Sequence, residues 1–153
     1  MKPFDQSAYD ADDSAKFVVL NWINHTMPNL ERHYINPDQY GVDILGGLGA
    51  VEVEVRHGWS GNRWPFPDVR IPIRKRKFLD PTIRTWFVIV NQERTHGMVI
   101  DGRTLFDAPV RLINVPQFGV SEYFMVTRPG LGIDLSKFSD TVSDLSGSDR
   151  TSS

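Results

Sequence analysis

Apolar and polar positions change their period along the chain. In residues 14–25, SAKFVVLNWINH, Ala15, Val18, Val19, Trp22 and Ile23 recur at three- and four-residue spacing. That stripe predicts an amphipathic helix with Asp13 or Ser14 as its N-cap. From Tyr40 the period falls to two. YGVDIL, the turn GGLG and AVEVEVRH predict a hairpin, with Val51, Val53 and Val55 on one face and Glu52, Glu54 and Arg56 on the other. TWFVIVN has the continuous β-branched and aromatic character of a buried strand. VRIPIRKRKFL, HGMVIDGRTL and RLINVPQ are expected strands, and SEYFMVTRP a last strand or short helix. Pro28 and Pro37 bracket NLERHYIN, which fits either a helical turn or an irregular link, and GWSGNRWPFPD is too rich in Gly, Pro and Trp to be regular.

A helix followed by a run of strands makes the expected fold α/β around a central mixed sheet. The length of 153 residues suits one hydrophobic core. Residues 1–138 are assigned to that domain, and residues 139–153, SDTVSDLSGSDRTSS, to a Ser- and Asp-rich tail expected to be disordered. Without cysteine there is no disulfide, thiolate metal site or Cys nucleophile, so any metal must be held by O or N ligands. The start MKPFDQSAYDADD has no apolar segment after its Lys, and no long apolar run follows, so the cytoplasm is the expected compartment.

The net charge of −2 hides an uneven distribution. Acids crowd Asp5 to Asp13 and the end from Asp134, while Arg70, Arg74, Lys75, Arg76 and Lys77 put five cations into eight residues. One dense basic stripe lets a mildly acidic protein hold a polyanion locally.

If GGLG reverses the chain, Asp43 lies beside the strand that carries Glu52 and Glu54, and three carboxylates converge. Such a cluster repels itself unless a cation neutralises it, and a hard ion that keeps several waters, Mg²⁺ or Mn²⁺, suits few carboxylates. D43-x8-E52-x-E54, with a helix before it and further strands after it, resembles the PD-(D/E)XK nuclease superfamily over roughly residues 12–95. The resemblance implies a restriction-endonuclease-like fold, with a central mixed β-sheet flanked by helices. It also implies Mg²⁺-dependent hydrolysis of DNA phosphodiester bonds. Asp43 and Glu52 match the two metal-ligand positions. Glu54 stands where the family's Lys usually does, as a third ligand or base, and Val42 stands where its Pro does. Lys75 is the expected substitute for that Lys, and Asp12 or Asp13 a further ligand from the helix. Arg70, Arg74, Arg76 and Lys77 are the expected contacts to the DNA backbone. In the expected strand, Lys75 and Lys77 share a face with Ile71 and Ile73, opposite Arg74 and Arg76. A homodimer would match the two-fold symmetry of duplex DNA.

Blander readings account for the same residues. Glu52, Glu54 and Arg56 suit the wet face of a sheet, and the basic run suits a charged edge strand. A non-catalytic nucleic-acid-binding or protein-binding module of the same fold fits Glu54 in place of Lys. His25, His33, His57 and His96 show no metal-ligand spacing, and Trp59, Trp64 and Phe66 suit loop packing, with base stacking as the alternative.

Overall fold

The computed structural model describes residues 6–116, 119–127 and 130–139. Helix α1 spans Gln6–Thr26, starting earlier than the apolar stripe alone predicts. Its stripe is the buried one: Ala15, Val18, Val19 and Ile23 are at most 1% exposed. Strands β1 (Tyr34–Ile35), β2 (Ile44–Gly46) and β3 (Gly49–Arg56) form an antiparallel meander. β1 lies within the bracketed NLERHYIN segment. The hairpin closes at Gly46↔Gly49, and Gly49 holds φ +107°, a conformation a side chain rarely tolerates.

β4 (Val69–Pro72) belongs to a second sheet, after which β5 (Thr85–Asn91) returns parallel to β3, pairing Glu52 with Phe87 and Glu54 with Ile89. β6 (His96–Asp101) and β9 (Leu131–Asp134) complete a six-stranded mixed sheet in the order β1-β2-β3-β5-β6-β9. β7 (Val110–Val115) and β8 (Gly119–Val126) join β4 in a three-stranded antiparallel sheet, order β4-β8-β7.

Alternation along β3 and β5 feeds two cores. Val51, Val53, Val55, Val88 and Val90 meet α1 on one face. On the other, Phe87, Ile89, Met98 and Ile100 meet Val69, Ile71 and Phe124 of the smaller sheet. Burying each such side chain contributes about 1.5–3 kcal/mol against leaving it in water.

Several sequence expectations are corrected. The sheet is mixed as predicted, but it is not flanked by helices on both faces: α1 covers one and the β4-β8-β7 sheet covers the other. VRIPIRKRKFL is a strand only to Pro72, and Ile73–Phe78 is a 3-10 helix. Pro72 has no N–H to continue a ladder. Crowded cations also splay apart more easily around a turn than along one strand edge. HGMVIDGRTL turns from strand to a 3-10 helix, Gly102–Leu105, where the Asp101 carboxylate accepts from Arg103 N at 3.0 Å. β9 has no counterpart in the sequence reading. Residues 140–153 of the expected tail lie outside the described residues.

Candidate active site

The hairpin register decides what meets what. Ile44 pairs with Val51, so Asp43, one residue before β2, stands beside Glu52 and Val53. Asp43 Oδ2 accepts from Val53 N at 2.7 Å, and its Oδ1 lies 3.2 Å from Lys16 Nζ. The backbone bond from Asn36 N to Asp43 O, 2.9 Å, fixes the other side of that residue. His33 braces the turn from beneath, its Nε2 accepting from Leu48 N at 2.9 Å, while Asn24 bonds both backbone groups of His33. Burial holds His33 below its ordinary pKa of 6.5, the charge of Glu31 opposing.

Glu52 points away from α1 and is only 5% exposed. Lys75, on the 3-10 helix, reaches its Oε2 at 3.4 Å, yet that oxygen makes no hydrogen bond that satisfies it. Burial first, then the hydrogen bond and charge of Asp43, push the Glu52 carboxyl from 4.5 up to about 9, and Lys75 opposes without reversing this. At neutral pH, Glu52 therefore keeps its proton as a buried acid hydrogen-bonded to Asp43. Lys16 is raised above 10.5: burial works against its charge, but the carboxylates of Asp43 and Asp13 outweigh that.

Asp43, Glu52, Arg74, Lys75 and Lys77 line one open cavity of about 240 Å³, with Tyr40 and Phe78 on its rim. Three residues per turn place Arg74 with Lys77, and Lys75 with Phe78, along the 3-10 helix. The expected division is thus corrected. Arg74 shares the cavity with both lysines, and Arg76 turns instead to the Phe124 ring, 5.6 Å from its centroid. Lys75 and Lys77 stand over Phe78 at 5.6 and 5.0 Å. Arg70 lies at a different cavity, with Arg56.

The structure brings Asp43, Glu52 and Lys75 to one cavity and places Glu54 apart from them. Glu54 makes a two-pronged pair with Arg56 at 3.1 and 3.2 Å and does not line the Glu52 cavity. Its alternation onto the Glu52 face is right; the nearer cation two residues on takes it. Asp13 is linked to Asp43 through Lys16, 3.2 Å from each. Lys16 is the residue that sequence reasoning misses, although its spacing from Asp13 was a signal. Among the described residues, no three His, Asp or Glu side chains form a group that could hold a metal ion.

The donor set still suits a hard cation in one respect. Glu52 Oε2, buried and without a hydrogen bond though 3.4 Å from Lys75 Nζ, and the neighbouring Asp43 carboxylate are two oxygen donors at the cavity, as many as Mg²⁺ commonly takes from protein when phosphate and water supply the rest. Among the described residues no helix is long and apolar enough to cross a membrane. Comparison with known proteins finds no matching family model, no matching curated protein and no matching solved structure.

Proposed function

We propose that the Asp43–Glu52–Lys75 cavity is the hydrolytic centre of a metal-dependent, restriction-endonuclease-like nuclease that cuts DNA phosphodiester bonds. The observation that carries this reading is the unsatisfied, buried Glu52 Oε2 beside Asp43, in a cavity rimmed by Arg74, Lys75 and Lys77. Asp43 and Glu52 would hold Mg²⁺ or Mn²⁺, which when bound would polarise the phosphate and lower the pKa of an attacking water. Arg74 and Lys77 offer their charges to the phosphates on either side. Lys75 places an ammonium where negative charge grows in the transition state. Glu54 joins only by leaving Arg56, so its part is to hold Arg56 rather than the ion. A dimer would present two such cavities to the two strands of a duplex.

One observation favours the non-catalytic alternative. Lys16 already pairs with Asp43, and the raised Glu52 carboxyl keeps its proton, so the acids are tolerated without a metal. A nucleic-acid-binding module would keep the basic rim and lose the chemistry.

Calorimetry with Mn²⁺ at pH 7, repeated in buffers of different ionisation enthalpy, separates the two. Metal at this site must displace the Glu52 proton, so binding should release about one proton per ion and vanish in Glu52→Gln. Incubation with plasmid, branched and single-stranded DNA in Mn²⁺ should give cleavage that Asp43→Asn and Glu52→Gln abolish. Neither proton release nor cleavage would leave the binding module as the reading.

A further inference from the structure

A second cavity, of about 280 Å³, opens farther along the same face of β3, lined by Arg56, Gly58, Trp64, Phe66, Asp68 and Arg70 among others. Its wall is a chain of aromatics. Trp59, 2% exposed, meets Trp64 edge to face at 5.3 Å, and Trp64 meets Phe66 at 5.2 Å. Phe66, by contrast, is 48% exposed. A large exposed ring costs solvation, and here it is held out rigidly, because Pro65 and Pro67 flank it and fix the backbone.

The loop under it is tied down. Trp64 Nε1 donates to Asp68 O at 3.0 Å, Gly61 N donates to Glu93 at 3.0 Å, and the buried Asn91 amide donates to Gly61 O at 2.9 Å. The cavity therefore exists before any ligand arrives. Its cation is Arg70: Arg56 is engaged by Glu54 and donates to the Arg70 carbonyl, whereas the Arg70 guanidinium has no ion-pair partner among the described residues.

We propose that this cavity takes one unpaired nucleobase of a single-stranded nucleic acid, with Phe66 as the stacking face and Arg70 as the cation for the adjoining phosphate. A rigid aromatic face beside a free guanidinium matches a flat neutral ring attached to an anion, and it cannot be reached by a base stacked inside a duplex. The inference rests on the nuclease reading for its register. Glu52 and Arg56 are four residues apart on an extended strand, roughly 13 Å, and the segment from Arg70 to Lys77 runs a basic track between the two cavities. A strand held here would cross the Glu52 cavity a few nucleotides away, so the substrate would carry a single-stranded arm.

The test is a fluorescence titration of the full chain, in EDTA, with a trimer of deoxyadenylate and with deoxyribose 5-phosphate, which has no base. The trimer should quench tryptophan emission and bind more tightly than the base-free compound. Phe66→Ala should weaken trimer binding at least about fivefold, the low end of base stacking, and Phe66→Tyr should restore it. Arg70→Ala, which leaves the aromatic packing alone, should weaken binding and lower the salt slope by about one. Circular dichroism checks the fold of each variant. Equal affinity for the base-free compound, no trimer binding, or no response to Phe66→Ala overturns the proposal. Cleavage in Mn²⁺ that survives such a failure leaves the nuclease reading standing. Trimer binding without cleavage removes the nuclease and its register while keeping the base site.

Discussion

Changing Glu52 to Gln tests whether a neutral acid sits at the heart of the site. Folded, Glu52 keeps its proton up to about pH 9; unfolded, it loses it near 4.5. A group whose folded pKa is raised gives its full stability below 4.5, and loses it as pH climbs to about 9. Each unit in that window costs the wild type about 1.4 kcal/mol, so at pH 7 the accumulated loss is about 3 kcal/mol. Gln mimics the protonated acid in size, can donate to Asp43 and cannot ionise in either state. The variant should therefore match the wild type near pH 4.5 and exceed it by about 3 kcal/mol at pH 7, which for a chain of this size is roughly 6–12 °C in Tm. Urea unfolding at several pH values in EDTA measures the difference directly. A Glu52→Gln protein that is less stable by the same amount at every pH would refute the reasoning, because it would mean that Glu52 is ionised and its pair with Lys75 holds the fold.

The other predictions share that frame. Asp43→Asn should behave oppositely and destabilise by about 1–3 kcal/mol, because Asp43 is a charged acceptor for Val53 N and Lys16; urea unfolding checks it, and an unchanged midpoint would count against the observed bonds. Lys75→Ala should slow cleavage at least about a hundredfold with DNA affinity little changed, whereas Arg74→Ala and Lys77→Ala should weaken binding and each lower the salt slope by about one. Arg76→Ala, turned to Phe124, serves as the control; equal modest effects from all four would reduce the segment to a charged rim. In a Glu52→Gln background, stability should fall as pH drops below 6.5, because unfolded His33 takes up a proton that buried His33 refuses; His33→Gln should remove that fall.

The hairpin was legible because its signals agree. Alternation set the faces, GGLG set the turn, and the register then followed without choice, so Asp43 beside Glu52 could be reached from residues alone. α1 and β5 were legible for the same reason, each with one clear period. Glu54 shows where alternation stops informing. It fixes which face a side chain leaves from, not which partner it finds, and Arg56, two residues along the same face, competes successfully. β9 and the pairing of β4 with β8 were hidden because strand partners far apart in sequence leave no local signature.

The basic segment winds into a 3-10 helix where its sequence predicts a strand, and that difference is how the site is assembled. A parallel return from β3 to β5 requires a crossover over one face of the sheet. Here the crossover is β4 and a 3-10 helix rather than a long helix, and Pro72 ends the strand just before the Arg74–Lys77 run. As a strand, the run would have sent alternate cations to opposite faces, and Arg74 could not have stood with Lys75. Wound into a 3-10 helix, it sends Arg74, Lys75 and Lys77 to a single cavity. The carboxylates reach that cavity from the hairpin on the other side. Asp43 and Glu52 therefore owe their charged neighbours to a contact between segments about thirty residues apart, and a local change such as Pro72→Val, which permits the ladder to continue, should weaken the site without touching any residue in it. Nucleic-acid affinity and the pH slope of stability should shift together in that variant. A change in only one of them would mean that the cation cluster and the acid pair are independent.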